Sequence, residues 1–412
     1  MSDPRQAIRA FVAAHRVEAV DMLAALVRTP SDNPPGDSAP HAERAAALLE
    51  GLGFEVERHR VPEDEVRRHA MTSCVNLIVR ERFGAGPTIA CNAHGDVVPP
   101  GAGWSVDPYA AELRDGRMLG RGVAVSKSDF ATYAFALLAL RAAARAGATL
   151  GGTVELHFTH DEETGGALGP AWLLSRGLTR PDYAICAGFA HGVTTAHNGC
   201  LHLEVVVRGK SGHAAEPEKG VDALRAATGI LAGLYALRDD YAKTRSRIDG
   251  IASPTLVIGT IEGGINTNVV PDRVVFRLDR RIIPEESPED VEATLTAQIG
   301  DLGSRFAGAT VEVRRILRAL PFLPLPGQEK LVDALRRNAR IVLGEDIAAR
   351  GVPLYTDARH YSAAGVPTVL YGAGPRTLAE ANGHGADENL RLEDLYAATE
   401  VVALSLYDLL EA

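Results

Sequence analysis

The chain has 412 residues, 46% of them hydrophobic and 23% charged, with a formal net charge of −10. That length exceeds one typical core and predicts two or more domains, while an acidic balance without long runs of one sign excludes the basic patch that nucleic-acid binding needs. Four widely spaced cysteines, Cys74, Cys91, Cys186 and Cys200, form no CxxC or CxxH pair, and no apolar run is long enough to span a bilayer. A first helix is predicted over Pro4–Val27, on the apolar stripe Phe11, Val17, Val20, Leu23, Leu26 and Val27. Its charged start holds no signal-like apolar block, so the expectation is a cytoplasmic, soluble protein. The segment "TPSDNPPGD" breaks the pattern as a loop, and a second helix follows over His41–Leu52. Strands are read in "FEVERH", "NLIVRE" and "TIACNAH". An alanine-rich helix spans Ser128–Ala146, before the strands "GTVELHFTH" and "DYAICAG". Strands alternating with helices predict an α/β layer structure.

From about Cys200 the texture changes. "LHLEVVVRG" alternates as a strand, a helix follows over Val221–Leu237, and "SPTLVIGTIEGG" and "DRVVFRLDRRII" are strands joined by "INTNVVP". A helix begins near Ser287, where "SPED" offers a cap and a proline at the first helical position, and "ATVEVRRI" is one more strand. This βαββαβ unit, residues 200–313, reads as an insertion into a first domain built from 1–199 and 314–412. The strand "TVLYGAG" and a last helix over Leu392–Leu409 complete that domain.

The titratable residues cluster where strands end. His94 closes "TIACNAH", and a histidine at a strand end points into the crevice where α/β proteins bind ligands. Asp96, two residues on, is placed to hold the ring's second nitrogen, as carboxylates do for metal-bound imidazoles. "HFTHDEETGG" closes another strand and stacks His160, Asp161, Glu162 and Glu163 before a Gly-Gly turn. Four such groups at a buried strand end are costly unless a cation or partners balance them. One carboxylate could hold a metal while its neighbour takes a proton from activated water. His213 in "GKSGHAAEP" and His384 in "ANGHGADEN" are, taken alone, surface histidines.

As a set, the HxD of His94 and Asp96, the "GRG…K" loop, "DEETGG", "SGH", "IEGGINTNVVPD", "LDRRIIPE", "TDAR" and the late histidine resemble, in this order, the aminoacylase, desuccinylase and glutamate carboxypeptidase family of zinc hydrolases. The resemblance covers nearly the whole chain. It implies a zinc-peptidase-like α/β catalytic domain with an inserted α+β lid and dimerisation domain. It also implies His94 on one metal ion, Glu163 and His384 on the other, and Glu162 as general base, with Asp96 steadying His94. His213 would reach the partner subunit's site, and Asn268, Arg281 and Arg359 would hold a small carboxylate-bearing substrate. The implied assembly is at least a homodimer, with no nucleic-acid or membrane partner.

Two positions depart from that pattern. Val125, in "GRGVAVSKSDF", stands where the family carries its bridging aspartate, and Phe189 where it carries another acidic ligand. Two divalent ions without a bridging anion would repel strongly. His94, Glu163 and His384 remain, and two imidazoles with one carboxylate make a competent single-metal set with a position open for water. The expectation is therefore one divalent transition metal per chain, zinc, manganese or cobalt, with Ser126, Asp129 and Asp182 as candidate replacement ligands and helix capping as the alternative role of Asp129. The function that follows is metal-assisted cleavage of a C–N bond, the amide of an N-acyl amino acid or small peptide-like carboxylate. The alternatives are an aminohydrolase of the 5-nitroanthranilate type, whose flat aromatic substrate would suit Val125 and Phe189, and an inactive ligand-binding relative.

Overall fold

The strands carrying the predicted site lie side by side in the computed structural model, which describes residues 3–411. They belong to a mixed eight-stranded sheet in the order Val56–Arg60, Val75–Arg82, Thr153–Thr159, Thr88–His94, Tyr183–Cys186, Thr368–Leu370, Gly192–His197 and Ala348–Val352. Its middle four strands are mutually parallel: Thr88–His94 runs beside both Thr153–Thr159 and Tyr183–Cys186, and Tyr183–Cys186 beside Thr368–Leu370. Their carboxyl ends therefore open on one edge, with His94 directly opposite Thr159 in register. Parallel strands must be covered on both faces, which is why "TIACNAH" and "TVELHFT" are buried almost throughout, the polar positions Glu155 and His157 of the alternating second strand included.

The alanine-rich helix Lys127–Arg145 packs on this sheet with Phe130 stacked on Phe158, ring centroids 4.0 Å apart. Ala131, Ala134, Ala136, Ala139 and Ala143 are fully buried, since Pro4–Ala14, Arg16–Val27 and Leu392–Leu410 close over the helix and only small side chains fit between. The single first helix expected over Pro4–Val27 is instead two, Pro4–Ala14 and Arg16–Val27. The break falls at His15, whose ring stacks on Phe11 and bonds through Nδ1 at 2.8 Å to the same Phe11 carbonyl that accepts from the His15 amide at 3.1 Å.

This unit comprises the chain through Thr195, Pro324–Arg350 and the residues from Thr356 onward. The second unit holds Ala196–Leu323 and Gly351–Tyr355. It contains a four-stranded antiparallel sheet, ordered Thr255–Gly263, Arg273–Ile282, Gly199–Arg208 and Thr310–Ala319, with the helices Ala223–Tyr241 and Pro288–Ser304 packed on it. Leu201, Leu203, Val205 and Val207 alternate into a core shared with Phe276, Leu278, Ile230 and Ile299. Ser287 accepts from the Asp290 amide at 3.3 Å, and Pro288 follows it, as "SPED" implies. The molecule is thus a mixed α/β fold carrying an α+β insertion.

Candidate metal centre

His94 ends its strand buried, 6% exposed. Its Nδ1 lies 3.0 Å from the Asp96 carbonyl oxygen and 3.3 Å from Asp96 Oδ1, so that nitrogen is held locally. Its Nε2 faces Glu162 Oε2 at 3.9 Å. A ring anchored through one nitrogen presents the other to a ligand.

Glu162 and Glu163 sit on the short 3-10 turn Glu162–Thr164 just past the neighbouring strand. Asp96 reaches this turn as well: Oδ1 accepts from the Glu162 amide at 3.2 Å and Oδ2 from the Glu163 amide at 3.1 Å. Asn33 Nδ2 donates to Oδ2 from the other side at 3.0 Å. One buried carboxylate thereby fixes both the histidine and the backbone of the acidic pair. Among the described residues His94, Glu162 and Glu163 form the group whose ligand atoms all lie within 4.8 Å of one another. His384 stands beside it, its side chain 53% exposed and its Nε2 3.4 Å from Glu163 Oε1, an oxygen buried without a well-formed hydrogen bond.

The electrostatics of this cluster call for a cation. Burial pushes Glu162 well above the usual carboxylate range, and Glu163 and Asp357 push it further while His94 opposes them. Burial alone would lower His94, but the Asp96 hydrogen bond and the charges of Glu162, Asp96 and Glu163 drive it well above an ordinary imidazole. A desolvated group of carboxylates around one ring is costly without positive charge. A buried carboxylate oxygen without a well-formed hydrogen bond, close to His384 and grouped with His94, is a donor set suited to a divalent transition metal.

None of the candidate replacement ligands joins the cluster. Ser126 Oγ donates to the His94 carbonyl at 3.0 Å and accepts from the His94 amide at 3.1 Å, so it is spent on backbone. Asp182 is exposed and accepts from the Thr88 amide, at the opposite end of the strand from His94. Asp129 neither binds there nor caps its helix. Its carboxylate accepts from the Ala373 and Gly188 amides at 2.7 and 3.3 Å, tying together the loops that follow two parallel strands. Phe189 lies in one of these loops, bridged to Gly374, and both it and Val125 are half-buried.

Of the expected substrate residues, Arg359 is buried and donates to the Thr356 and Gly165 carbonyls, each at 2.6 Å. In the second unit His213 and Asn268 are both exposed and sit on adjoining segments, with His213 bridged to Val269 and the Ala214 amide donating to the Asn268 carbonyl at 3.0 Å. Arg281 Nε donates to Asp279 Oδ1 at 3.0 Å. Sequence reasoning missed Asn33, which lay in a segment read only as loop. It also missed Asp357, buried in "TDAR" with one oxygen unbonded and raised to about 6 by burial.

Among the described residues no helix is long and apolar enough to cross a membrane. Residues 90–408 match the model of peptidase family M20/M25/M40. The chain is 29% identical over 364 residues to an acetylornithine deacetylase of Proteus mirabilis, covering 86% of this chain and 88% of that one. It is 28% identical over 394 residues to a succinyl-diaminopimelate desuccinylase of Gluconacetobacter diazotrophicus, covering 92% and 94%. In fold it is similar to an M20 family metallo-carboxypeptidase of Sulfolobus solfataricus, with TM-score 0.77, 19% identity and coverage of 95% and 100%. The family match spans most of the length and takes in every residue of the cluster, so the chain belongs to peptidase family M20/M25/M40 and is a metal-dependent hydrolase acting on C–N bonds.

Proposed function

We propose that the chain hydrolyses the amide bond of an N-acyl amino acid or small peptide-like carboxylate, using one divalent metal ion per chain. The observation that carries this reading is the convergence of His94, Glu162 and Glu163 at the carboxyl edge of the parallel strands. Relatives named as deacetylase and desuccinylase act on acylated amino-acid substrates, which favours that class here. His94 and Glu163, with His384 beside them, are the residues that would hold the ion. When bound, such an ion polarises the scissile carbonyl and lowers the pKa of water. Glu162 takes the proton from the attacking water and delivers it to the leaving nitrogen. It is a buried carboxylate on a backbone that Asp96 keeps in place. His213, Asn268 and Arg281 of the insertion are proposed to hold the substrate's carboxylate and carbonyl oxygen, with His213 supplied by a partner subunit in a homodimer.

The count of one ion rests on Val125 and Phe189, neither of which offers a ligand atom. Metal analysis of gently purified protein tests it: one equivalent of zinc, manganese or cobalt is expected to survive dialysis, and two retained equivalents would refute it. Glu162→Gln is expected to lower kcat about 10²–10⁴-fold with metal content unchanged. Loss of metal together with activity would make Glu162 a ligand rather than the base.

A further inference from the structure

The stretch Gly120–Lys127, with Val125 where the family resemblance implies a carboxylate, holds an arginine that neither the acid–base chemistry nor the ion uses. Arg121 is 1% exposed. Its Nη1 donates to Glu388 Oε2 at 2.6 Å. Its Nη2 is shared at 3.1 Å among three carbonyls, those of Pro100, His384 and Gly385. The Trp104 ring lies over the guanidinium at 5.2 Å, and Trp104 Nε1 donates to that same Pro100 carbonyl. Glu388 completes the clamp by accepting from the Ala124 and Val125 amides at 3.1 and 3.3 Å.

The segment so gripped needs an anchor. Asn382, His384 and Asp387 all have positive φ, at 51°, 63° and 53°, a conformation that side chains rarely adopt unless the surroundings impose it. The His384 side chain is half exposed, so packing does not hold it. What fixes its Cα is the backbone, held within the turn by the Gly385 amide on the Asn382 carbonyl at 2.7 Å and, at the His384 and Gly385 carbonyls themselves, by one buried guanidinium. The planar fork of arginine suits this, since it can serve a carboxylate and several carbonyls at once, whereas a lysine is a point charge without that geometry.

We infer that Arg121 is the positioning residue for His384, setting through the His384 and Gly385 carbonyls where the imidazole stands relative to Glu163. The inference rests on the proposed role of His384 in holding the ion, and the test separates the two. Zinc is titrated calorimetrically into the metal-free full chain for wild type, Arg121→Lys, His384→Ala and the double variant. Amide hydrogen exchange is followed across residues 382–388. Arg121→Lys is expected to bind zinc about 10–100-fold more weakly, the range for partners that orient metal ligands, and to exchange faster across 382–388 but not in the parallel strands. In the His384→Ala background the same change is expected to cost nothing further, because there is no imidazole left to place. Glu388→Gln loosens the same anchor from its other end and is expected to show the same coupling, which keeps the test in hand should a buried lysine not fold.

Additive losses in the double variants, or wild-type affinity and unchanged exchange in both Arg121→Lys and Glu388→Gln, would overturn the inference. Unchanged affinity in His384→Ala alone would instead refute His384 as a ligand, a distinct result that takes this inference with it.

Discussion

Asp96→Asn is the substitution for which the structure predicts most. The Asp96 carboxylate is 1% exposed and is reached by four donors: Asn33 Nδ2, the Glu162 and Glu163 amides, and the His94 ring. An asparagine has one acceptor oxygen and one NH2 group, so two donors would keep a partner and two would face another donor. Hydrogen bonds to a charged group are worth about 1.5–3 kcal/mol each, so losing two implies roughly 3–6 kcal/mol. That loss would be divided between stability and ion affinity, because the same oxygens serve the fold and the cluster. Chemical denaturation of the metal-free chain reads the first share and zinc calorimetry the second. The nitrogen shifts of His94 should also change, since its Nδ1 would no longer donate to a carboxylate. Wild-type values in both measurements would refute the view that Asp96 organises the cluster.

Two further outcomes follow from the insertion. His202 lies opposite Asp279 in register, with Nε2 3.2 Å from Oδ2, and that hydrogen bond raises its pKa to about 9. A raised folded-state pKa stabilises fully below the unfolded value near 6.5 and is lost as pH rises through about 9; after discounting for partial exposure this is roughly 1–2 kcal/mol. Melting curves should therefore show wild type losing stability relative to His202→Gln between those pH values, and parallel curves would refute the pairing. Mixing the inactive variants Glu162→Gln and His213→Ala under subunit exchange should restore activity toward about a quarter of wild type if His213 acts across a two-fold interface. No recovery despite proven exchange would place His213 elsewhere.

The residues legible in the sequence are those that strand ends position. His94, Glu162 and Glu163 follow apolar runs whose pattern marks where each strand stops, and neighbouring parallel strands bring such stops to one edge without further information. The βαββαβ order of the insertion is legible for the same reason, since each of its elements announces itself by period. The polar clamps between loops are not. Asp129 stands in the first turn of its helix and local rules make it a cap, but the amides it serves are those of Gly188 and Ala373, the second of them 244 positions away. Arg121 meets the Glu388 carboxylate across 267 positions.

Position 125 shows what such clamps permit. The loop there is held by the Ala124 and Val125 amides on Glu388 and by Ser126 Oγ on the His94 carbonyl, while the partly buried Val125 side chain packs against the core. None of these polar contacts uses the side chain at 125. A ligand can be exchanged for valine there while His94, a neighbour through Ser126, keeps its place. A valine at 125, where the family resemblance implies a carboxylate, would for that reason change how much charge the site holds and leave these clamps in place.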